Sequence, residues 1–383
     1  MSRPNVGVSD GESGVEGLPK RKEGLKRRMS RTLGALPERI WYQGHWLGRW
    51  LVPIGWVYCG LARLRRWLYR RGWLTSYSVA MPVIVVGNLT VGGTGKTPLV
   101  LWLAHDLGKR GRRPGIALRG YRRQAAAPAG EGWSAGSAAV CRVPAGGDPN
   151  RYGDEAVLLA ERTRFPVMVG RDRVAAVRSL IEDCGCDLVL TDDGLQHYRL
   201  RRQLEILVVD GERGFGNGRC LPAGPLREPL DRQRQVDLLI ENGGGAKGSA
   251  FRMHIEPADA VNLVDPSLRR PLVDFVGQPV TAVAGIGNPQ RFFSMLLGFG
   301  LAVVARPYPD HYQFSAADLR DWPDGPVLMT EKDAVKCRAF AAAGYWYVPV
   351  TAVPERRFSV ALNEALNRCL VPAAGPDSRP RVG

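Results

Sequence analysis

A glycine-rich segment between an apolar stretch and a helical stretch constrains this chain more than any other feature. Residues 83–86 predict a buried β-strand and residues 98–104 predict a helix, with Gly92-Gly93-Thr94-Gly95-Lys96-Thr97 between them. In this setting backbone N–H groups surround phosphate oxygens, and the helix N-terminus adds its positive end. Lys96 adds a point charge, and the Thr97 hydroxyl can reach Mg²⁺. The segment therefore predicts a loop that holds the phosphates of a nucleoside triphosphate.

The loop departs from the usual pattern at its first glycine, where Thr90 stands. Gly92 and Gly93 supply flexibility inside the loop instead. The alternative is a glycine-rich turn that binds nothing, but Gly-Lys-Thr at a strand-to-helix junction favours phosphate binding. The predicted nucleotide-binding residues are Gly92, Gly93, Thr94, Gly95, Lys96 and Thr97.

Strand and helix patterns alternate along most of the chain. This alternation predicts an α/β fold of the P-loop NTPase type, with a parallel sheet and helices on both faces. We predict a phosphate-loop core over 81–275 and a smaller C-terminal α/β domain over 276–370. Residues 124–147 are rich in Ala, Gly and Pro and predict a loop. Residues 1–37 predict a disordered basic tail, and 371–383 a second disordered tail.

The positive charge of the chain is concentrated at its front. The formal net charge is +16, and residues 1–73 hold 15 Lys and Arg against 5 Asp and Glu. Such a segment favours nucleic acid or an anionic membrane surface as a partner. The 7 cysteines are scattered and show no paired metal spacing, which predicts a reducing compartment without a disulfide framework or zinc site.

The segment 38–80 has the composition of a membrane-interface helix. It holds 6 of the 10 tryptophans, interleaved with aliphatic residues and followed by arginines, and tryptophan and arginine together favour the membrane interface. The uncharged run from Trp50 to Ala62 has 13 residues, whereas a spanning helix needs about 20. We therefore predict an in-plane or partly inserted helix. A spanning helix, a helix packed on the protein's own core and a nucleic-acid arm are the alternatives.

Two adjacent carboxylates follow a predicted buried strand. Asp192 and Asp193 end the strand that begins at Asp187. Carboxylates at the C-terminal end of a parallel strand lie where α/β sheets bind ligands, and in phosphate-loop proteins they commonly position Mg²⁺. Adjacent residues point different ways, so the two acids should have separate roles. A turn with solvated aspartates is the alternative.

Three further segments are ambiguous by themselves. Asp154 opens a predicted helix, where an acid is a natural capping residue. His311 lies in a predicted loop, and a lone loop histidine is usually a surface residue. A stiff Pro/Gly loop over 221–229 presents Arg227 and Glu228.

In combination, these motifs resemble the tetraacyldisaccharide 4′-kinase family, the lipid A 4′-kinases of Gram-negative bacteria. They occur in the family's order and cover residues 38–370. The matching runs are 86–98, 119–121, 153–155, 192–197, 221–229, 285–289, 309–312 and 330–334.

The resemblance implies ATP-dependent phosphorylation of the 4′-hydroxyl of a tetraacyldisaccharide 1-phosphate lipid A precursor. It implies a protein at the cytoplasmic face of the inner membrane, peripheral or anchored by its front helix. The implied partners are the glycolipid and the lipid surface, with no nucleic acid and no obligate protein partner.

The resemblance also implies roles for individual residues. His311 would be the general base, Asp154 its partner, and Lys96 the group that neutralises charge on the transferred phosphoryl group. The implied magnesium-binding residues are Thr97, Asp192, Asp193 and Glu228. The implied substrate-binding residues are Arg119, Tyr121 and Arg227.

Three other functions remain as alternatives. A membrane-associated P-loop ATPase switch or assembly factor has a similar loop, but such proteins resemble one another in a lysine before the Gly-Gly pair, where this chain has Val91. A basic nucleic-acid-binding protein would explain the charge. A phosphate-loop kinase for a soluble metabolite would leave the tryptophan-rich segment unexplained.

Overall fold

The protein is described by a computed structural model that covers residues 36–120, 140–244, 250–320 and 322–370. Within these residues the chain forms two α/β units, each built on its own sheet. The first unit has a nine-stranded sheet and the second a six-stranded sheet. The predicted α/β class, with a largely parallel sheet and a second α/β unit, is confirmed. The predicted tails at 1–37 and 371–383 lie outside the described residues except for positions 36 and 37.

The front segment is helical. Residues 36–42 form a helix, α1 (Leu47–Trp50) is one turn, and α2 (Val52–Arg70) is the main helix, with Pro53 in its first turn. Proline is tolerated there because the first N–H groups of a helix have no intrahelical partner. Across the ranges that the structure describes, no helix is both long enough and apolar enough to cross a membrane.

The strands of the first unit are mostly parallel and buried. Their spatial order is β15-β8-β7-β6-β1-β5-β2-β4-β3, and only the edge strands β3 and β15 run antiparallel to their neighbours. The strands are β1 (Val83–Gly87), β2 (Pro114–Arg119), β3 (Val140–Arg142), β4 (Val167–Gly170), β5 (Leu188–Asp192), β6 (Leu204–Asp210), β7 (Leu238–Asn242), β8 (Phe251–Pro257) and β15 (Val350–Pro354). β1 and β5 are buried along their whole length, as expected when helices cover both faces of a parallel sheet.

Helices cover this sheet and connect its strands. They are α3 (Lys96–Lys109), α4 (Pro149–Tyr152), α5 (Asp154–Thr163), α6 (Arg173–Glu182) and, at the end of the chain, α10 (Arg356–Leu370), with a 3₁₀ turn at Leu230–Gln235. In the central strands, Val86 of β1 lies beside Asp192 of β5. The loop after β1 and the carboxylates after β5 therefore meet at one edge of the sheet.

The sheet of the second unit contains four neighbouring parallel strands. The spatial order is β10-β9-β14-β13-β11-β12, with β9 and β10 antiparallel at one side. The strands are β9 (Ala260–Asn262), β10 (Arg269–Arg270), β11 (Pro279–Ala284), β12 (Ala302–Pro307), β13 (Val327–Thr330) and β14 (Tyr345–Val348). The helices are α7 (Pro289–Gly298), α8 (Ala316–Arg320) and α9 (Glu331–Cys337), with 3₁₀ turns at Leu272–Phe275 and Arg338–Phe340.

The sheets do not follow the predicted division at 275/276. β9 and β10 precede that division but pair within the second sheet, and β15 and α10 follow it but belong to the first unit. The buried Phe358 of α10 packs against Trp102 and Phe251 of the first unit, so burial of this apolar face returns the chain to the first sheet. β3 also lies inside the segment predicted as a loop over 124–147.

Candidate active site

The glycine loop after β1 has the backbone that only glycine adopts readily. Gly92 and Gly95 have φ of 117° and 93°, in the left-handed region. Gly95 directly precedes α3, and a Cβ there would lie 2.3 Å from Asn242 Nδ2. That amide donates to the Thr94 carbonyl at 3.1 Å. The loop is therefore shaped by glycine and held from the end of β7.

Thr97 and Asp192 form the link between the loop and β5. The Thr97 hydroxyl donates to Asp192 Oδ2 at 2.8 Å. Asp192 is buried, and its Oδ1 has no hydrogen-bond partner among the described residues. Burial and the negative charge of Glu155 raise the pKa of Asp192 to about 7, against the opposing charge of Lys96. A buried carboxylate with an unpartnered oxygen beside a threonine hydroxyl is a donor set that suits a divalent cation.

The Asp193 carboxylate contacts different side chains from those that the Asp192 carboxylate contacts. Its carboxylate receives Arg227 Nη1 at 2.8 and 2.9 Å and lies 3.5 Å from Lys96 Nζ. Burial opposes ionisation, but these cations hold the pKa of Asp193 well below its usual range. Its φ of 54° is rare for a residue with a side chain, and Arg173 fixes the turn by donating to the Asp192 and Asp193 carbonyls, each at 2.9 Å.

Glu228 is buried among polar side chains. Its carboxylate accepts from the Tyr198 hydroxyl, lies 3.5 Å from Gln196 Nε2 and 3.7 Å from Arg232 Nε. Considering only residues that the structure describes, no three His, Cys, Asp or Glu side chains are grouped to hold a metal ion. The predicted magnesium set is thus divided in this conformation, and a metal role for Glu228 stays a prediction.

His311 and Asp154 come from different units and meet. His311 follows β12 and Asp154 begins α5, yet His311 Nδ1 lies 3.2 Å from Asp154 Oδ2. The hydrogen bond to Asp154 raises the pKa of His311, against burial and the charge of Lys332. Burial alone would raise the pKa of Asp154, but His311, Lys332 and Lys336 hold it well below its usual range.

One cleft of about 1730 Å³ between the two units brings these groups together. Its lining includes the glycine loop, both aspartates, the His311–Asp154 pair, Glu228, and Arg119 and Arg227. Residues of α2, among them Tyr58, Leu61 and Arg65, line the same cleft. Of the predicted site residues, Tyr121 alone lies outside the described part of the chain. The structure therefore gathers predicted site residues that are 219 positions apart in the sequence, from Gly92 to His311.

The sequence interpretation missed a loop of the second unit that closes on the phosphate loop. Gly285-Ile286-Gly287 lies in the matching run 285–289, for which the sequence predicted no role, yet a Cβ at Gly287 would lie 2.3 Å from the Gly93 nitrogen. Beyond it, Arg291 Nη2 donates to Asp210 Oδ1 at 3.0 Å and to the Asn242 carbonyl at 3.1 Å. Asp210 and Asn242 end two parallel strands, so the strand-end rule that located Asp192 would have found them.

Comparison with known proteins assigns the chain to a family. A family model described as tetraacyldisaccharide-1-P 4′-kinase matches residues 47–367. The tetraacyldisaccharide 4′-kinase of Nitrosococcus oceani is 49% identical over 313 residues, which are 82% of this chain and 88% of that protein. The protein of the same name from Alkalilimnicola ehrlichii is 47% identical over 330 residues, covering 84% of this chain and 94% of that one.

A solved structure agrees with these relatives. The LpxK protein of Aquifex aeolicus, crystallised in complex with ATP, is 28% identical and superimposes with a TM-score of 0.67. The match covers 84% of this chain and 99% of that one. The similarity therefore spans both units and the cleft between them.

Proposed function

Since the chain belongs to the tetraacyldisaccharide-1-P 4′-kinase family, it acts as a lipid A 4′-kinase, and we propose that Lys96 and His311 carry out the transfer in its inter-unit cleft, where Thr97 and Asp192 would hold Mg²⁺. The γ-phosphoryl group of ATP passes to the 4′-hydroxyl of the acylated disaccharide 1-phosphate. The observation that supports this assignment of residues is that the phosphate loop and the His311–Asp154 pair line one cleft.

The phosphate loop binds and orients the triphosphate. Backbone N–H groups of residues 92–97 surround phosphate oxygens, and Lys96 lies where it neutralises charge that develops on the transferred group. Thr97 and Asp192 fit a magnesium site, because Asp192 Oδ1 is buried and unpartnered among the residues described. Held there, a magnesium ion would supply positive charge to offset that of the phosphate oxygens.

His311 takes the proton of the sugar hydroxyl. Asp154 holds Nδ1 as the protonated ring nitrogen, so Nε2 is the atom that accepts the proton. The raised pKa of His311 makes it a stronger acceptor, and Asp154 stabilises the imidazolium that forms. Arg119 and Arg227 line the cleft as cationic groups for the anionic substrates.

The front helix places this cleft at a lipid surface. The side chains of Trp46, Trp50 and Trp56 are 61%, 75% and 72% exposed. The opposite side of α2 contacts the first unit, since a Cβ at Gly55 would lie 3.1 Å from the Cys220 carbonyl, and Arg65 Nη1 donates to the Gln196 carbonyl at 3.2 Å. Exposed aromatic and aliphatic side chains beside arginines suit the interface of an anionic membrane, which is where an acylated sugar lies.

The exposed tryptophans provide a test of the lipid surface. We expect Trp50→Ser with Trp56→Ser to lower partitioning onto phosphatidylglycerol vesicles at least about tenfold, because each tryptophan contributes about 1.5 kcal/mol or more of apolar burial. Vesicle co-sedimentation measures the partition coefficient. The matched control is Val273→Ser with Val276→Ser, two exposed apolar residues of the second unit. Equal binding by both double variants would refute the assignment of α2 as the lipid-binding element.

The magnesium site is tested at Thr97 and Asp192. We expect Thr97→Val or Asp192→Asn to raise the Mg²⁺ concentration for half-maximal activity about tenfold or more, because the first removes an oxygen ligand and the second removes the negative charge of a carboxylate ligand. Titration of kinase activity with Mg²⁺ at fixed ATP gives this value. Thr351→Val, at an exposed position of β15, should leave it unchanged, and an unchanged value in both site variants would remove the assignment.

The reaction itself is tested by transfer of radiolabel from γ-labelled ATP. Incubation with a tetraacyldisaccharide 1-phosphate in detergent micelles should label the glycolipid at its 4′ position. ATP hydrolysis that is independent of the acceptor, with no labelled glycolipid, would favour a membrane-associated ATPase switch. Label on a water-soluble acceptor would favour a metabolite kinase, and retention of DNA or RNA would revive the nucleic-acid alternative.

A further inference from the structure

We propose that Lys332 is a positioning residue that fixes the loop carrying His311 against helix α5 of the first unit. Its ammonium group lies 3.0 Å from Glu155 Oε1 and 3.2 Å from Asp310 Oδ1. It also lies 4.0 Å from Asp154 Oδ2. Glu155 follows Asp154 in the first unit and Asp310 precedes His311 in the second, so one side chain joins both halves of the catalytic pair. The proposal rests on the role proposed above for His311.

The His311 loop requires such a restraint. His311 has a φ of 58°, a conformation that costs free energy in a residue with a side chain and persists only where the surroundings enforce it. Asp310 Oδ1 accepts from the His311 backbone N–H at 3.0 Å and also contacts Lys332. Lys332 therefore acts on the carboxylate that shapes the backbone of His311.

Lys332 is itself held in place by its helix. α9 begins at Glu331, whose carboxylate receives Arg162 of α5 at 2.7 Å, and the Thr330 side chain caps the helix by accepting from the Asp333 N–H. The Lys332 side chain is only 15% exposed. A pre-ordered cation loses little side-chain entropy when it binds the two carboxylates. The fixed position of the ammonium group therefore also fixes the positions of these carboxylates.

A second lysine lies one turn along the same face of α9. Lys336 Nζ is 2.8 Å from Asp333 Oδ1 and 3.7 Å from Asp154 Oδ2. Residues four apart share a helix face, and both ammonium groups therefore face Asp154. Their charge keeps Asp154 ionised beside His311. The charged groups around the imidazole include Asp154, Asp310 and Lys332, and Glu155 and Lys336 face these in turn.

The main test is Lys332→Met in the full-length enzyme. We expect kcat to fall about ten- to a hundredfold, the cost of a small misplacement of a reacting group, while the KM for ATP changes less than about twofold. The acid limb of the pH–rate profile should move to higher pH, because Lys332 lowers the pKa of His311 and its loss lets that pKa rise. A residue that supports only the fold would not move this limb.

The matched control is Arg338→Met. Arg338, which directly follows α9, binds Glu161 of α5 with Nη2 2.9 Å from Oε2. It does not contact Asp154, Asp310 or His311 in any described hydrogen bond or ion pair. It should keep the kcat and pH profile of the parent enzyme. If Lys332→Met and Arg338→Met match in kcat and in pH profile, the proposal is overturned.

Asp310→Asn tests the same restraint without deleting the lysine. The amide oxygen still accepts from the His311 N–H, but the charge that binds Lys332 is lost. We expect kcat to fall severalfold and the acid limb to move to lower pH, opposite to Lys332→Met, because Asp310 raises the pKa of His311. If Lys332→Met fails to fold, an unchanged profile in Asp310→Asn overturns the proposal by itself. Full activity in His311→Gln would instead refute the assignment of His311 as the general base. Failure of the Lys332 proposal and failure of the proposed function therefore give different results.

Discussion

Replacing Lys96 with alanine is expected to lower phosphoryl transfer about a hundred- to a thousandfold, the typical cost of losing one charge-stabilising group in an active site. Lys96 begins α3 at the end of the glycine loop, and its ammonium group is directed to the site, 3.5 Å from Asp193. Its charge is needed most when negative charge moves within the triphosphate. Initial rates with labelled ATP and glycolipid measure the effect.

The Lys96 variant should remain folded. Asp193 keeps both of its short contacts to Arg227, so removal of Lys96 does not leave the Asp193 carboxylate without a cation. Lys109→Ala, at the exposed far end of α3, is the control and should retain the parent rate. A Lys96→Ala enzyme with the parent rate would reject the phosphate-loop assignment.

The second large effect is expected at His311. His311→Gln should lower kcat by about two to four orders of magnitude, the range for loss of a general acid or base, with little change in the KM for ATP. Glutamine retains a polar side chain of similar length but has no site that titrates near neutral pH. Single-turnover measurements would assign the loss to the chemical step, and His105→Gln on the exposed surface of α3 is the control.

The pH dependence of kinase activity should show the titration of His311 directly. A base must be neutral to accept a proton, so activity falls as pH drops through the pKa of His311. Asp154 raises that pKa above its ordinary value of 6.5, which places the acid limb above 6.5. Asp154→Asn removes the largest cause, so the limb should move to lower pH as kcat falls. An acid limb unaffected by Asp154→Asn would mean that another group takes the proton.

Local sequence determined the phosphate loop and its support. An apolar strand, a glycine loop and a following helix are all short-range features. The structure confirms the strand and the helix, and Gly92 and Gly95 of the loop have positive φ. The alternation of strands and helices likewise predicted a parallel sheet, in which Asp192 lies at the end of β5 beside β1. These features follow from backbone preferences and from the pattern of apolar residues, which act over a few residues at a time.

Contacts between distant parts of the chain could not be predicted from any short segment of the sequence. His311 is a lone loop histidine until the fold of the second unit brings it to Asp154, and Gly287 is an ordinary turn until it packs on Gly93. β15 and α10 likewise pack on the first unit although they follow the second unit in sequence, so the predicted division between the units was wrong. The choice of partner for an exposed edge or an apolar helix face depends on the shape of the rest of the molecule.

The sequence by itself determined that this chain has an α/β fold with a glycine-rich loop between a strand and a helix, and its motifs indicated the family. Only the tertiary structure decided which charged side chains share the cleft, which of the adjacent aspartates contacts Thr97, and that Lys332 joins Glu155 to Asp310. The physical reason is the distance along the sequence over which each kind of interaction acts. Strand and helix formation depend on neighbours along the chain, whereas ion pairs and pKa shifts depend on distances of a few ångströms between residues that are far apart in sequence.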